Sequence, residues 1–186
     1  MKSPFVVFVA NRAELRRKLQ GLKNRPCPFC KKAGTLNRHS RIDGNDPDAC
    51  SGRIFRGQRV FCSNRCQHGG CGHTFSMIFA WVLPRHTVVT TQLWAILQHL
   101  SRGKSIKSAW EILGLSLALE TFYHLLHRVR YFFTKLRVIL KPRLPPAISA
   151  HRDPLRQLTT NLRLAFPSAC DPIRAFQYHF QRSSLG

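Results

Sequence analysis

The sequence predicts a small α+β protein, in which short antiparallel strands are followed by a module of three helices and a short helical tail. Three observations predict this class. Residues 25–75 contain all but one of the 7 cysteines, together with turn formers such as "DGNDPD" and few aliphatic residues. Residues 89–140 have a helical apolar period throughout, and the rest of the chain contains two Asp-Pro helix starts, at Asp153 and Asp171.

The composition divides the chain into four segments. These are an N-terminal strand and helix (1–24), a cysteine-rich ribbon (25–88), a three-helix module (89–140) and a linker with two short helices (141–186). In the first segment, "PFVVFVA" predicts a strand and "NRAELRRKLQGLK" a helix, with Asn11 as the N-cap and Glu14 three residues later. In the last segment, the prolines of "KPRLPP" predict the linker.

The charge of the chain is strongly positive. Lysine and arginine number 30 against 8 acidic residues, which gives a formal net charge of +22, and arginine is the commoner cation. A small soluble domain rarely carries a net charge beyond about 8, and so large an excess repels itself unless a polyanion neutralises it. The planar arginine side chain matches phosphate groups and guanine edges. The charge is spread along the chain rather than collected in a tail, which favours nucleic acid as the partner.

A membrane surface is the competing polyanionic partner. The longest unbroken apolar run, residues 77–83, is far shorter than the roughly 20 residues of a spanning helix. The apolar run in "MKSPFVVFVA" is also shorter than the roughly 7–15 residues of a signal peptide. We therefore expect no membrane partner and a reducing, cytoplasmic location, where clustered cysteines bind metal more often than they form disulfides.

Two cysteine pairs predict a zinc site. "RPCPFCKKAG" places Cys27 and Cys30 at the C-x2-C spacing with which one tight turn presents two thiolates to a tetrahedral zinc ion. "RVFC" predicts a strand that ends at Cys62, and "CGHTFS" places a glycine directly after Cys71. We expect these four cysteines to bind Zn²⁺ in a zinc ribbon of short antiparallel strands, with the spacer "SNRCQHGG" bulged out as a basic loop. Four protein ligands leave no open position for water, so the predicted role of the metal is folding rather than catalysis.

Two other ligand pairs remain open for the second half of the site. Cys62 with Cys66 has C-x3-C spacing, and His68 with Cys71 has H-x2-C spacing. The pairing of Cys62 with Cys71 is favoured over both, because Cys62 lies at a predicted strand end and Cys71 directly precedes a glycine. Cys50 and Cys170 have no cysteine or histidine at ligand spacing and are predicted to be free thiols that bind no metal.

Residues 89–140 predict a helix-turn-helix. Apolar residues recur at helical spacing in "TTQLWAILQHLSRG", which ends at Gly103. "KSIKSAWEILG" follows with Ser105 as N-cap, and a third helix is predicted to start at Ser116. A glycine-containing turn between the second and third helices, with an alanine early in the second, is typical of a helix-turn-helix. A three-helix bundle that only packs is the alternative.

The candidate DNA-binding residues lie on the outward side of this module. The third helix is expected to enter the major groove, and the side chains that avoid its apolar stripe are mostly basic or protonatable. The residues at the start of the second helix are expected to contact phosphates only. A plain surface role is the alternative for the two histidines. The full set of candidates is Lys104, Lys107, Ser116, Thr121, His124, His127, Arg128 and Arg130.

The order of these motifs resembles a known family. A strand-end cysteine, "CGHTFS", an apolar stretch with proline and then a helix-turn-helix are similar to the zinc-ribbon plus helix-turn-helix heads of bacterial insertion-sequence transposases and their stand-alone relatives. The resemblance covers residues 25–130. It implies zinc on the four cysteines, double-stranded DNA as ligand, a place on the bacterial nucleoid, and a role beside a transposase or other nucleoprotein machinery. The chain departs from the family in its long spacer and in lacking a catalytic domain.

The acidic residues do not predict an enzyme. Two-metal nuclease chemistry requires three converging carboxylates. Three of the acids crowd one turn-rich loop, two are predicted helix caps, and two lie on short helices of the three-helix module. The acids are Glu14, Asp43, Asp46, Asp48, Glu111, Glu120, Asp153 and Asp171. There is also no His-x-His pair for a histidine-based nuclease. We expect a non-catalytic DNA-binding protein, and the alternative is a basic structural subunit that docks RNA or a larger nucleoprotein complex.

Overall fold

The computed structural model describes residues 5–47, 52–65, 69–114, 117–145 and 152–185. Over these residues the chain has a four-stranded mixed sheet and six α-helices, which confirms the small α+β class. The chain forms two compact units. We call residues 1–45 with 53–80 the sheet unit, and residues 46–52 with 81–186 the helical unit.

The sheet unit is built on four strands in the order β1-β4-β3-β2. Strand β1 runs parallel to β4, with Val6 opposite Ser76, and the other neighbours are antiparallel. The N-terminal strand predicted in residues 1–24 therefore extends the sheet formed by the three strands of the predicted ribbon segment. The strands are β1 (Val6–Val9), β2 (Leu36–Asn45), β3 (Arg53–Cys62) and β4 (Thr74–Phe79).

Helix α1 (Arg12–Gln20) follows β1 directly and has the predicted N-terminal cap. The Glu14 N–H donates to Asn11 Oδ1 over 2.9 Å, and the Glu14 carboxylate accepts from the Ala10 N–H over 2.7 Å. These reciprocal bonds satisfy backbone donors that the start of a helix leaves unpaired. The helix buries Leu15 in the core of the sheet unit.

The helical unit contains α2 to α6 around one apolar core. Apolar residues that the periodicity singles out in α2 and α4 are buried, among them Leu93, Leu97 and Phe122. The core also takes in Leu158 and Phe176 from the two C-terminal helices, so the predicted tail packs into the same unit. The helices are α2 (Thr90–Ser101), α3 (Ile106–Leu113), α4 (Leu119–Leu140), α5 (Pro154–Ala165) and α6 (Pro172–Phe180).

The N-terminal caps of α3, α5 and α6 are the residues that the sequence predicts. Ser105 caps α3, and Asp153 and Asp171 cap α5 and α6 with a proline at the first helical position. The Asp171 carboxylate also accepts the Thr90 hydroxyl over 2.5 Å, which ties α6 to α2.

The predicted start of the third helix is wrong. Helix α4 begins at Leu119, after Ala118, and no side chain caps it. The Trp110 indole N–H of α3 donates to the Leu117 carbonyl over 2.8 Å, and Leu117 packs against the core. This anchor holds Leu117 outside the helix, and Ala118 has extended backbone angles, with φ of −63° and ψ of 148°. Ser116, the predicted cap, lies outside the described residues.

None of the helices in the described part of the chain is both long and apolar enough to cross a membrane.

Candidate metal centre

Four cysteine side chains converge in the sheet unit. The Sγ atoms of Cys27, Cys30, Cys62 and Cys71 all lie within 4.8 Å of one another. The Cys27–Cys71 and Cys30–Cys62 sulfur pairs are each 3.7 Å apart. Tetrahedral zinc with Zn–S bonds of about 2.3 Å places its sulfur ligands about 3.8 Å from one another. The cluster can therefore hold a metal ion, and its dimensions are compatible with zinc.

These are the four cysteines that the sequence predicts as ligands. They come from two places far apart in the chain, the loop after α1 and the end of β3 with the loop that follows it. Cys27 and Cys62 are fully buried, whereas Cys30 and Cys71 are partly exposed. The alternative ligands Cys66 and His68 lie outside the described residues, as does Cys50.

The first half of the site is a tight turn around Cys27. The Cys27 N–H donates to the Lys32 carbonyl over 2.9 Å, and the Lys31 N–H donates to the Cys27 carbonyl over 2.9 Å. Lys31 adopts a left-handed conformation with φ of 64°, which lets the chain reverse directly after Cys30. The Phe29 N–H points at Cys27 Sγ over 3.4 Å, a contact that stabilises a thiolate.

The second half repeats this turn around Cys62. The Cys62 N–H donates to the His73 carbonyl over 2.9 Å, and the Gly72 N–H donates to the Cys62 carbonyl over 3.0 Å. Gly72 has φ of 73° and occupies the position that Lys31 has in the first turn. The Cys71 N–H points at Cys62 Sγ over 3.3 Å. Two turns of the same hydrogen-bond pattern thus face each other across the four sulfur atoms.

The long spacer of the second half is closed off at its base. The Gly70 N–H donates to the Ser63 carbonyl over 2.8 Å, which brings the two ends of the spacer together. In the second turn, Ser63 and Gly70 occupy the two positions between the cysteines that Pro28 and Phe29 occupy in the first turn. Next to this closure, the Lys32 ammonium donates to the Gly69 carbonyl over 2.7 Å.

The pKa values of Cys27, Cys62 and Cys71 are shifted in different directions. Burial raises the pKa of the Cys27 thiol to about 12, and burial also raises the pKa of Cys71. Burial opposes ionisation of Cys62 as well, but hydrogen bonds with the Thr35 hydroxyl, with the Cys71 N–H and with neighbouring thiols lower its pKa to about 6. A metal ion that binds all four as thiolates would therefore displace protons from Cys27 and Cys71.

Thr35 is a residue of the site that the sequence does not reveal. Its side chain is buried, and its hydroxyl lies 3.2 Å from Cys62 Sγ. The Ser63 N–H donates to the Thr35 carbonyl over 2.8 Å, so the same residue also positions the second turn. Such partners orient metal ligands. No spacing rule marks this residue, because it is brought to the site by the pairing of β2 with β3.

An aromatic cluster lies beside the two turns, with Phe5, Phe29 and His73 exposed and Phe75 buried. The Phe29 ring stacks on the His73 imidazole, with centroids 4.8 Å apart and an interplanar angle of 28°. Phe5 meets the edge of Phe29 at 5.8 Å and of Phe75 at 6.0 Å. Because Phe29 and His73 belong to different turns, their stacking packs the two halves of the site together.

The predicted DNA-contacting residues lie in the helical unit. Those on α4, namely Thr121, His124, His127, Arg128 and Arg130, are all exposed, as are Lys104 and Lys107 near the start of α3.

Two of these candidate residues, Lys107 and Arg128, contact other side chains of the protein. The Lys107 ammonium lies 3.9 Å from the Glu111 carboxylate, and Arg128 Nη1 lies 3.2 Å from His86 Nε2. Burial lowers the pKa of His86, and the nearby positive charge of Arg128 lowers it further.

Most acidic side chains in the described part of the chain serve caps or ion pairs. Glu14 lies 3.4 Å from Lys18 while it caps α1, and Asp43 lies 3.1 Å from Arg41. Asp153 and Asp171 are helix caps.

No family model, curated protein or solved structure matches this chain. The resemblance to transposase heads therefore depends on the sequence motifs alone and stays a prediction.

Proposed function

We propose that this chain is a zinc-stabilised, non-catalytic protein that binds duplex DNA for a mobile genetic element, as a transposition accessory or regulator. The observation that carries the proposal is the charge: 30 basic against 8 acidic residues, with exposed basic side chains in both units. A surface so charged attracts phosphate backbones before any base is read.

The metal supports this function by shaping the sheet unit. Zn²⁺ on Cys27, Cys30, Cys62 and Cys71 would fix the two repeated turns that carry these ligands. A site closed by four thiolates leaves no position for a reacting water. The zinc therefore contributes to folding, and the protein acts by binding.

Helix α4 is the proposed reader of base sequence. Its buried residues, such as Phe122 and Val129, lie on one side, and the exposed Thr121, His124 and Arg128 lie on another. These three positions are three or four residues apart along the helix and so share a face. Arg128 can pair bidentately with guanine, which is worth roughly 1–3 kcal/mol of discrimination.

The start of α3 is the proposed phosphate contact of the same unit. Lys104 and Lys107 are exposed beside the Ser105 cap. Lys107 has only a long, solvent-exposed ion pair with Glu111, and such pairs contribute little, so it can be exchanged for a phosphate at small cost. These contacts would position the helices without carrying sequence information.

One observation favours a second function, the docking of RNA or of a larger nucleoprotein complex. Tyr123 and Tyr131 are 47% and 68% exposed on α4, and exposed aromatic rings are typical platforms for single-stranded RNA bases. Lys135 lies 5.9 Å from the Tyr131 ring centroid, which adds a cation beside that ring.

A competition experiment decides between the two functions. The zinc-loaded protein is bound to a fluorescein-labelled DNA duplex, and unlabelled duplex or single-stranded RNA of matched length is added. The proposal expects duplex DNA to compete at lower concentration than RNA. Stronger competition by RNA would overturn it and support the docking function.

A further inference from the structure

A second basic feature lies in the sheet unit. Helix α1 and the β2–β3 hairpin enclose a groove of about 320 Å³. Its walls include three arginines, Arg12, Arg16 and Arg41, with Phe55 and Gln58. This volume is near the lower end of known ligand sites, which span about 300–1,000 Å³.

Phe55 orients two of these arginines. The guanidinium carbon of Arg41 lies 5.0 Å from the Phe55 ring centroid, and that of Arg12 lies 6.0 Å from it. The ring itself packs edge-on against Phe79, with centroids 5.6 Å apart. Cations within about 6 Å of an aromatic face are attracted to it. The two guanidinium groups are therefore drawn to one ring and held beside the groove.

The positive charge of the groove is mostly uncompensated. Arg41 is paired with Asp43 over 3.1 Å. Across the described ranges of the chain, the ion pairs include neither Arg12 nor Arg16. Glu14, which lies between them on α1, caps the helix and pairs with Lys18 instead. A concave surface lined by charge of one sign concentrates ions of the other sign.

We propose that this groove binds a phosphate group of the nucleic-acid backbone, as a DNA contact of the sheet unit. The inference rests on the proposed function and names a site for part of it. The planar guanidinium group of arginine can donate two parallel hydrogen bonds to phosphate oxygens. Since no ion pair among the described residues includes Arg12 or Arg16, their guanidinium groups can form these bonds. All three arginines are exposed, so the phosphate of a long polymer can reach them.

The test compares two double variants that lose the same charge. Arg12→Ala with Arg16→Ala removes the two unpaired cations of the groove. Arg17→Ala with Arg53→Ala removes two exposed arginines of the same unit that do not line it. Affinity for a labelled duplex is measured at several salt concentrations, after zinc content and circular dichroism establish that each protein is folded. Each lost phosphate contact lowers the slope of log affinity against log salt by about 0.9.

Because one phosphate contact is lost, the groove variant is expected to lower the slope by about 0.9, and the control to leave it nearly unchanged. Equal changes in the two variants, or no change in either, would overturn the proposal while leaving duplex binding intact. Phe55→Leu should lower affinity in part, since it keeps an apolar side chain but removes the ring that holds Arg12 and Arg41. If it leaves affinity unchanged, the orienting role of Phe55 is contradicted.

A final arm separates this site from the proposed function. If the wild-type protein does not bind duplex at all, the proposed function fails, and pyrophosphate is then titrated against the wild type and both variants by calorimetry. Pyrophosphate binding lost only in the groove variant would keep the phosphate site and assign it to a free phosphate ligand. Binding that is absent, or equal in all three proteins, would overturn the site as well.

Discussion

The Gly70 N–H donates to the Ser63 carbonyl oxygen over 2.8 Å, and this bond lets a long spacer form the same turn as a two-residue one. Cys62 and Cys71 are nine positions apart in the sequence, yet their backbone bonds repeat those of Cys27 and Cys30. The bond therefore joins the two ends of the spacer, so that Cys62 and Cys71 can contribute to one metal site.

Gly70→Ala tests this relationship. An added Cβ would overlap the Ser63 carbonyl oxygen and lie 2.6 Å from Cys62 Sγ, so backbone or ligand must move. We expect weakened zinc binding and destabilisation on the order of 1–3 kcal/mol or more, measured by chelator competition and thermal unfolding. Gly21→Ala is the control, because its φ is −87° and the nearest atom to an added Cβ is 3.8 Å away. If Gly70→Ala binds zinc as tightly as Gly21→Ala, the role given to this bond is wrong.

Cysteine variants test the ligand set. Cys27→Ser and Cys71→Ser each remove one of the four converging thiols, so the purified, reduced proteins should contain well under one zinc per chain and unfold at lower temperature. Cys170→Ser, at an exposed thiol in the helical unit, is the matched control and should keep the metal. Cys66→Ser should keep it too. Loss of zinc in Cys66→Ser with retention in Cys71→Ser would contradict the assignment.

The contact between His86 and Arg128 predicts a pH dependence of stability. Burial and the Arg128 charge hold the pKa of His86 below its ordinary value of 6.5, so the folded protein favours the neutral ring. The unfolded chain then binds more protons, and the stability from this residue is lost as pH falls through 6.5. We expect His86→Gln to reduce the loss of thermal stability between neutral and mildly acidic pH. An unaltered pH profile in this variant would contradict the effect.

Two helical-unit variants test where base sequence is read. Arg128→Ala should relax preference at one base position, because it removes a bidentate contact worth roughly 1–3 kcal/mol. Lys107→Ala should weaken binding to all sequences about equally and lower the salt slope by about one. Binding-site selection on both proteins is the measurement. An unchanged motif with Arg128→Ala, together with a motif lost in Arg65→Ala, would place the reader in the loop of the sheet unit.

The parts that the sequence predicted correctly depend on local rules. The Asn11 cap, the Asp-Pro starts of α5 and α6 and the buried face of α2 follow from residue type and spacing over one or two turns. The C-x2-C pair and the glycine after Cys71 likewise predicted the four converging cysteines.

The parts that it did not predict depend on contacts between distant segments. An indole bond from Trp110 ties Leu117, just before α4, to α3, and Thr35 reaches Cys62 through strand pairing. The groove arginines come from α1 and β2, whose approach no local pattern encodes. The parallel pairing of β1 with β4 is of the same kind.

Salt titration of duplex binding tests the central claim most directly. Affinity of the zinc-loaded protein for a labelled duplex is measured between 50 and 200 mM salt. If the basic surface makes about 6–10 phosphate contacts, affinity should fall about 10³–10⁵-fold over this range. A flat response, or no duplex binding at the lowest salt concentration, would contradict the account.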